Sequence, residues 1–407
     1  MTVKPPNATQ RLRPSLHHRP VIAAFLRIFI AGFATFLAAG CVIPVLPRYV
    51  TGPLNSGPIA VGIVIGAFAI SAIVSRPLAG RLADRYGRRL VMVVGTVAAS
   101  CAGALYFLPL DIPGLIFARL VLGLGEGFVF TAGIVWTVDI APQSRRAQAI
   151  GLWGLALWTA MSLGPLTGEL LLSTMGYAAV WAFAAIVPLL GAAVALTIRD
   201  DHTPVTNAQK QPWVPREALR PGVGLALTSI GWSALAGFAV LMLQGRGVGH
   251  GAAVFTAFAS SVVIARLVLG RLPDRIGAAR TAIGAGCVEA VGLCVVAVAG
   301  SWPVAVVGAV VMGLGFSVLY PSLALLVVDN GSIERRGAAL GAFSAFFDLG
   351  IGVGAPLAGV VAVAFGYTAV FWLAAAAAAG AALLAATATR PSYRLGGRGK
   401  NPLVRRT

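Results

Sequence analysis

Long apolar stretches alternate with short polar segments along the chain. Roughly 20 residues at a rise of about 1.5 Å each cross the hydrocarbon core of a bilayer, and every stretch is long enough to do so. The pattern therefore predicts an all-α integral membrane protein with twelve transmembrane helices. The predicted helices span 21–46, 59–79, 90–110, 113–138, 149–172, 177–198, 222–244, 252–269, 281–300, 303–328, 338–364 and 367–389.

A polar, basic motif follows the second apolar stretch and returns after the eighth. The residues common to both copies are Gly80, Asp84, Arg85 and Gly87 in the first, and Gly270, Asp274, Arg275 and Gly277 in the second. A constant shift of 190 positions relates the two sets, and it also relates Arg76 to Arg266 and Gly176 to Gly366. Such self-similarity indicates a duplicated membrane unit. We therefore expect two pseudo-symmetric six-helix bundles.

A polar segment that contains Pro204, Pro212 and Pro215 separates the two halves, and a basic tail lies at each end of the chain. The predicted domains are the N-tail 1–20, the N-terminal bundle 21–198, the linker 199–221, the C-terminal bundle 222–389 and the C-tail 390–407. Nearly all Lys and Arg outside the apolar stretches fall on one side, whereas Arg48 and Arg246 fall on the other. Because positive residues are retained inside, both termini and the linker are predicted to be cytoplasmic.

Composition supports a bilayer protein and narrows the function classes. The 407 residues are 58% hydrophobic and 11% charged, with a mean hydropathy of +0.87, which is too apolar for a soluble domain. The net charge of +18 lies in short loops instead of on one basic face, so nucleic-acid binding is not expected. All four cysteines lie inside apolar stretches, so we expect no disulfide framework, no metal site and no cofactor.

The first copy of the motif reads Gly-x-Leu-Ala-Asp-Arg-x-Gly-Arg-Arg from Gly80, and it resembles the signature loop of the major facilitator superfamily. The duplication and the twelve stretches fit this family over roughly residues 20–390. Arg119 begins a pattern similar to the family's fourth-helix motif, although Leu122 replaces the usual Gln. The resemblance implies the major facilitator fold, transport by alternating access and a place in the bacterial inner membrane.

Two further patterns resemble exporters of that superfamily. The fifth stretch is similar to the antiporter motif through Gly151, Gly164, Pro165 and Gly168. Ala160 and Glu169 stand where the motif has two more glycines. Glu126 in the fourth stretch, together with 347–350 in the eleventh, is similar to bacterial arabinose-efflux-like permeases, a group that includes drug and opine exporters. This likeness does not define a substrate.

The signature motif is predicted to act as a gate between the two halves. The eleventh stretch begins on the cytoplasmic side, so the positive end of its helix dipole, near 337–341, lies level with Asp84 and stabilises that carboxylate. Asp84 is then expected to latch the halves together while the cytoplasmic side is closed, with Arg88 and Arg89 holding neighbouring charges. In the alternative interpretation, the arginines only determine topology. The second copy is the weaker candidate because it lacks the two terminal arginines.

Five charged residues inside the predicted helices are candidates for proton coupling or substrate contact: Arg119, Glu126, Asp348, Glu289 and Glu169. An ionisable group at membrane depth costs several kcal/mol unless it is paired, neutral or in contact with water. All four histidines lie outside the predicted helices, so proton transfer is expected to depend on carboxylates. Arg119 and Glu126 should both face the space between the halves, with Asp348 across from them. The alternative is structural pairing between helices, or solvation for Glu169.

These features predict a secondary active transporter that exports a small organic molecule in exchange for protons. The alternative within transport is proton-coupled uptake, because short motifs encode direction poorly. An enzyme is not expected, since no histidine lies in a predicted helix and no Gly-x-x-x-x-Gly-Lys-[Ser/Thr] loop is present. A remote alternative is a non-transporting sensor or scaffold. The expected partners are the substrate, protons and lipid, and the expected state is a monomer.

Overall fold

The computed structural model describes residues 18–108, 110–142, 145–200, 216–330 and 336–387, and these ranges are almost entirely helical. They contain no strand, and they include twelve segments that are long and apolar enough to cross a membrane. In chain order the helices are α1 His18–Val42, α2 Val45–Thr51, α3 Pro58–Tyr86, α4 Arg88–Leu105, α5 Asp111–Ile140, α6 Arg146–Met175, α7 Tyr177–Leu196, α8 Arg216–Gly245, α9 Ala252–Leu269, α10 Leu272–Ile276, α11 Ala278–Val298, α12 Trp302–Asn330, α13 Arg336–Phe365 and α14 Tyr367–Thr387.

Each of the twelve predicted helices corresponds to one crossing segment, and α1 with α2 forms the first, Val21–Thr51. The helices α1–α7 and α8–α14 form two six-span bundles, which confirms the predicted fold class. Two boundaries differ from the prediction. α3 continues to Tyr86, so the first part of the signature motif is helical and not a loop. α8 begins at Arg216, inside the predicted linker 199–221.

Four glycines at helix junctions show the duplication in the backbone. Gly87 and Gly277 have φ angles of 96° and 90°, and Gly176 and Gly366 have φ angles of 78° and 81°. The members of each pair are 190 positions apart, and each glycine joins two consecutive helices. A residue with a Cβ rarely adopts this conformation, so glycine is needed at all four points. The internal repeat is therefore a repeat of structure as well as of sequence.

One difference between the halves has a direct cause in the sequence. α3 is continuous through Ala83, whereas α9 ends at Leu269 and the short helix α10 follows. The residue equivalent to Ala83 is Pro273. A proline ring clashes with the carbonyl four residues earlier, here that of Leu269, and proline has no N–H to donate. The second copy of the motif is therefore separated from the membrane helix that precedes it.

The two bundles meet where α3 packs on α13 and, at the equivalent place, where α6 packs on α9. We call the side on which α3 begins the far side, and the side on which it ends the motif side. On the far side the backbones of α3 and α13 touch directly. A Cβ on Gly62 would clash with the carbonyl of Ala355, and a Cβ on Gly359 would lie 2.7 Å from the carbonyl oxygen of Pro58. The glycines are what allow this approach.

The same two helices have room around them on the motif side. Gly80 of α3 and Gly341 of α13 have no heavy atom within 4 Å of the point where a Cβ would lie. In the part of the chain that the structure describes, α5 and α12 also form no packed interface. Along α3 and α13 the halves thus converge on the far side and leave space on the motif side. The motif side is the one predicted to be cytoplasmic.

The two arginines assigned to the far side are bound by protein groups. Arg48 forms an ion pair with Glu169 at 2.9 Å. Arg246 donates to the carbonyl of Ala297 at 2.8 Å and to the hydroxyl oxygen of Thr368 at 2.7 Å, and it thereby joins the end of α11 to the start of α14. Both cations therefore support the fold in addition to affecting topology.

Gly62→Ala is expected to destabilise the far-side contact. The added methyl group overlaps the carbonyl of Ala355, and overpacking of this kind typically costs about 1–3 kcal/mol. Gly80→Ala is the matched control, because its methyl group meets no atom and alanine favours a helix over glycine by about 1 kcal/mol. Thermal unfolding of the purified variants measures both effects. Equal melting temperatures for the two variants would contradict the far-side contact.

Candidate transport site

A bidentate ion pair joins the two bundles at mid-depth in the predicted membrane. Arg76 of α3 donates from Nε to Asp348 Oδ2 at 2.6 Å and from Nη2 to Oδ1 at 3.0 Å. The side chain of Asp348 is 1% exposed and that of Arg76 is 22% exposed. The planar guanidinium matches both carboxylate oxygens, which makes this the strong form of such a contact. We call this contact the inter-bundle pair.

The inter-bundle pair lies on the wall of a cavity of about 70 Å³ between the halves. The apolar part of the wall is mostly aromatic and comes from both bundles, as Phe36, Phe68, Phe130, Trp158, Trp232 and Phe347. The polar part consists of Arg76, Asp348 and Glu126. A site for a drug-sized molecule usually has about 300–1,000 Å³, so this conformation holds a few waters and not such a molecule.

Glu126 of α5 is the second acid in the cavity. Its charged neighbours are Arg119, Arg76 and Asp348. Within the described ranges Glu126 forms no hydrogen bond and no ion pair, and it is only partly buried. The cavity thus combines one carboxylate that is held by an arginine with one acid that has no such partner in the described residues.

Arg119 has a different environment from the one its spacing to Glu126 predicted. Its side chain is 3% exposed and donates from Nε to the carbonyl of Val64 at 3.2 Å and from Nη2 to that of Ile65 at 3.3 Å. Its guanidinium also lies 4.7 Å from the centre of the Phe68 ring. Arg119 therefore joins α5 to α3 within one bundle, and it is not part of the cavity wall in this conformation.

Glu289 lies inside the C-terminal bundle and not at the interface. It is fully buried on α11, and neither carboxyl oxygen has a hydrogen-bond partner in the described residues. Oε1 lies 3.2 Å from the point where a Cβ on Gly231 of α8 would be, and the backbone of Glu289 packs on Gly315 of α12. Because it is enclosed by three helices of one bundle, it has no direct route to the cavity.

Glu169 is also remote from the cavity. It lies near the far-side end of α6 and forms its ion pair with Arg48, with side chains that are 36% and 16% exposed. The pair joins α2 to α6 within the N-terminal bundle. Solvation, the alternative predicted for Glu169, describes only part of its environment, because its carboxylate also pairs with an arginine.

The first copy of the signature motif makes its described contacts within the N-terminal bundle. Asp84 is 50% exposed and lies 3.9 Å from Arg88, and Arg88 pairs with Asp139 of α5 at 2.8 Å. The backbone N–H of Arg89 donates to Asp200 at 2.8 Å. The side chains of 336–338, beside the predicted partner of Asp84, lie outside the described residues.

The remaining motif residues follow two patterns. In the second copy, Asp274 and Arg275 are exposed. In the helix-five motif, a Cβ on Gly164 would lie 2.8 Å from the backbone nitrogen of Cys41, and one on Gly168 would clash with the carbonyl of the same residue. Gly151 has open space instead. Two glycines of this motif thus allow α6 to pack closely on α1.

The family model described as Major Facilitator Superfamily matches residues 28–252 and 222–403. Together these ranges include both bundles. The chain belongs to the major facilitator superfamily. This membership agrees with the twelve crossing segments and with the resemblance of the signature motif. The protein is therefore a multi-pass membrane protein and a secondary transporter.

Similar proteins support the same assignment. An uncharacterized MFS-type transporter of Salmonella typhimurium (strain LT2) is 32% identical over 379 residues, which cover 90% of this chain and 96% of that protein. An uncharacterized MFS-type transporter of Burkholderia mallei (strain SAVP1) is 33% identical over 377 residues, with 90% and 92% covered. Among solved structures, a mutant of the nucleoside transporter NupG aligns with a TM-score of 0.75 and 15% identity, covering 90% of this chain and all of that one. The last likeness concerns the fold.

The sequence pattern did not identify Arg76 as a site residue of this transporter, although two signals were present. Arg76 is an arginine inside a predicted membrane helix, where a charge needs a partner. It also lies at a depth similar to that of Asp348, about 15 Å from the motif-side end of its helix compared with about 18 Å. Depth matching of opposite charges in different helices would have paired the two.

Glu169→Gln is expected to leave the pH response of transport unchanged and to cost at most about 1 kcal/mol of stability. The pair with Arg48 is partly exposed, and pairs of this kind contribute little. Arg48→Gln breaks the same contact, so the double variant should lose less than the sum of the two single losses. Thermal unfolding measures the coupling. A changed pH response in Glu169→Gln would show instead that Glu169 takes part in proton transfer.

Proposed function

We propose that this transporter exports small organic molecules across the bacterial inner membrane in exchange for protons, as a monomer with cytoplasmic termini. The observation that carries the proposal is the inter-bundle pair, which places a titratable link between two moving halves beside a cavity. Glu126, which has no hydrogen-bond or ion-pair partner among the described residues, gives the same cavity a group that can pass protons to and from Asp348.

In this mechanism the charge state of Asp348 controls the contact between α3 and α13. Ionised Asp348 holds Arg76 through two hydrogen bonds in a site with little water. Protonation removes the charge attraction and leaves Arg76 as a partly buried cation without its counterion, which is an unfavourable state. The halves then separate on the side into which the proton is released. This relieves the unfavourable state, because Arg76 gains contact with water. Proton binding and the change of access are thereby linked.

The export direction is supported by the close packing of α6 on α1. Gly164 and Gly168 belong to the motif that resembles antiporters, and both allow backbone contact with the first helix. A helix held in this way moves with its bundle as a rigid unit. The bundles can then rock about the inter-bundle pair, and the far-side contact at Gly62 opens when the motif side closes, as alternating access requires.

The proposed role of the signature motif is to close the motif side. In the present conformation, Gly80 and Gly341 face open space, and the carboxylate of Asp84 is half exposed. When the halves converge on that side, Asp84 approaches the positive end of the α13 dipole. The ion pair of Arg88 with Asp139 holds the end of α3 in place for that contact.

Asp348→Asn and Glu126→Gln are each expected to reduce proton-driven transport at least tenfold. The first removes the charge that Arg76 binds, and the second removes the free proton acceptor. Transport is measured in reconstituted vesicles with an imposed proton gradient, with amphipathic drugs, sugars and opines as candidate substrates. Glu169→Gln is the matched control, since it removes a membrane carboxylate outside the cavity. Vesicles of both orientations distinguish export from uptake.

A double variant separates the loss of proton coupling from the loss of folding stability. Asp348→Asn leaves Arg76 without its counterion, and breaking a buried pair in this way costs up to about 3–5 kcal/mol, less here because Arg76 is partly exposed. Arg76→Gln combined with Asp348→Asn should restore the melting temperature while proton coupling stays lost. If the double variant still couples transport to protons, the inter-bundle pair is only a structural contact.

Asp84→Asn is expected to slow transport at least tenfold by weakening the closed state of the motif side. Asp111→Asn is the control, because it removes an exposed carboxylate at the far-side end of α5 and keeps that of Asp84. The population of the two states is measured by spectroscopic distances between labels placed at the motif-side ends of α3 and α13. An unchanged distance distribution in Asp84→Asn would leave the motif as a topology signal only.

A further inference from the structure

The duplication places two equivalent arginines at the two contacts between the bundles. The shift of 190 positions relates Arg76 to Arg266, and it relates the α3–α13 contact to the α9–α6 contact. The residue equivalent to Asp348 is Trp158. At the first contact, therefore, an arginine meets an acid, and at the second contact the arginine is present without the acid.

Arg266 lies between the two bundles. It is in the last turn of α9 and is partly buried, and its Nη1 atom is 3.4 Å from the point where a Cβ on Gly154 of α6 would lie. Gly154 belongs to the N-terminal bundle, so the guanidinium reaches across the interface. It does so through a gap that exists because residue 154 has no side chain.

No acid neutralises Arg266 in the described residues. It forms no ion pair and no hydrogen bond there, unlike Arg76. Tyr320 is a polar neighbour of Arg266, and its hydroxyl group is already hydrogen-bonded to Ser344 at 2.9 Å. The C-terminal end of α9 offers partial compensation through its dipole. A partly desolvated guanidinium of this kind is a site for an anion.

The distance from Arg266 to the aromatic cavity defines a ligand shape. Gly154 and Trp158 are one turn apart on α6, about 6 Å along the helix axis, and Trp158 is part of the cavity wall. A ligand that reaches both has an anionic group at Arg266 and an apolar body, about one helical turn away, against the rings of Trp158 and Phe130. An arylacetate has these proportions.

We propose that Arg266 binds the carboxylate of an amphipathic organic anion, whose apolar body occupies the cavity between the bundles. This inference rests on the proposed transport function and names the substrate class for the same site. The bidentate fork of Arg266 recognises the carboxylate, as the fork of Arg76 recognises Asp348. The substrate thus supplies the acid that the duplicated unit lacks at its second contact.

The test compares a carboxylate with its neutral isostere. Calorimetric titration of the purified full chain with 1-naphthaleneacetate and 1-naphthaleneacetamide should show at least tenfold tighter binding of the carboxylate. Arg266→Gln should remove that preference and leave the amide affinity unchanged, and Arg266→Lys should keep part of it. Arg271→Gln, which removes an exposed cation nearby, should bind as the wild type does. The ester 1-naphthyl phosphate serves as a third probe for phosphate as the anionic group.

A second pair of variants keeps Arg266 and so does not depend on the folding of Arg266→Gln. A Cβ at residue 154 is in ordinary contact with the guanidinium, so Gly154→Asp places a carboxylate beside it and Gly154→Asn places a neutral group of the same shape there. Gly154→Asp should lose carboxylate binding at least tenfold more than Gly154→Asn. Equal losses, or no preference of the wild type for the carboxylate over both the amide and the phosphate, would overturn the proposal.

The two proposals fail in different measurements. Carboxylate binding that depends on Arg266, without any transport driven by a proton gradient, supports the anion site and contradicts the proton-coupled function. Proton-driven transport of neutral or cationic compounds that is unaffected by Arg266→Gln supports the function and overturns the anion site. Binding uses detergent-solubilised protein without a gradient, so neither result depends on the other.

Discussion

A charge inside a bilayer must be neutralised, and in this transporter the charge on α3 is neutralised by the opposite bundle. Four ion pairs occur in the described residues, and three of them join elements within the N-terminal bundle. The pair of Arg76 with Asp348 joins the two halves. Because both groups are in a site with little water, the free energy of that contact depends strongly on whether Asp348 carries its charge. The chemistry of one carboxyl group is thereby connected to the relative position of two bundles.

The packing on either side of the inter-bundle pair determines how the two bundles can move when the pair breaks. On the far side, glycines bring the backbones of α3 and α13 together, as at Gly62 and Ala355. On the motif side, the same helices have space at Gly80 and Gly341. Asp348 lies between these two regions, so the proposed rotation of the halves about the inter-bundle pair opens one region as the other closes. A close-packed interface changes between discrete arrangements more readily than it deforms, which suits a switch between two access states.

The sequence predicted the parts of this site that depend on local pattern. Apolar length gave the twelve crossings, and the shift of 190 positions gave the two halves and their equivalent glycines. The acids Glu126 and Asp348 were found because charges are rare in membrane helices. What helical spacing cannot predict is which neighbouring helix a long side chain reaches. Arg119 shares a face with Glu126 but reaches the carbonyls of α3.

The local sequence pattern also could not predict which groups surround the other charged residues. Glu289 was grouped with Glu126 and Asp348 because all three are carboxylates inside predicted membrane helices. Its side chain, however, lies inside the C-terminal bundle. The short helix α10 could have been predicted from the sequence, since a proline, Pro273, stands at the position equivalent to Ala83. Comparison of the two halves with each other was thus more informative than each residue taken alone. The same comparison shows that Arg76 has an acid across the interface and that Arg266 has Trp158 at the equivalent position.

In the proposed mechanism, the broken symmetry between the two contacts lets this duplicated protein treat protons and substrate differently. If Trp158 were an acid as Asp348 is, both contacts would be held by the same kind of internal pair, and both would respond to protons alone. With the acid at one contact only, the proposed proton switch acts at α3 and α13, while α9 and α6 retain a cation for a ligand. The two events still act on the same pair of rigid bundles. Coupling then follows from geometry, because each contact changes when the other one does.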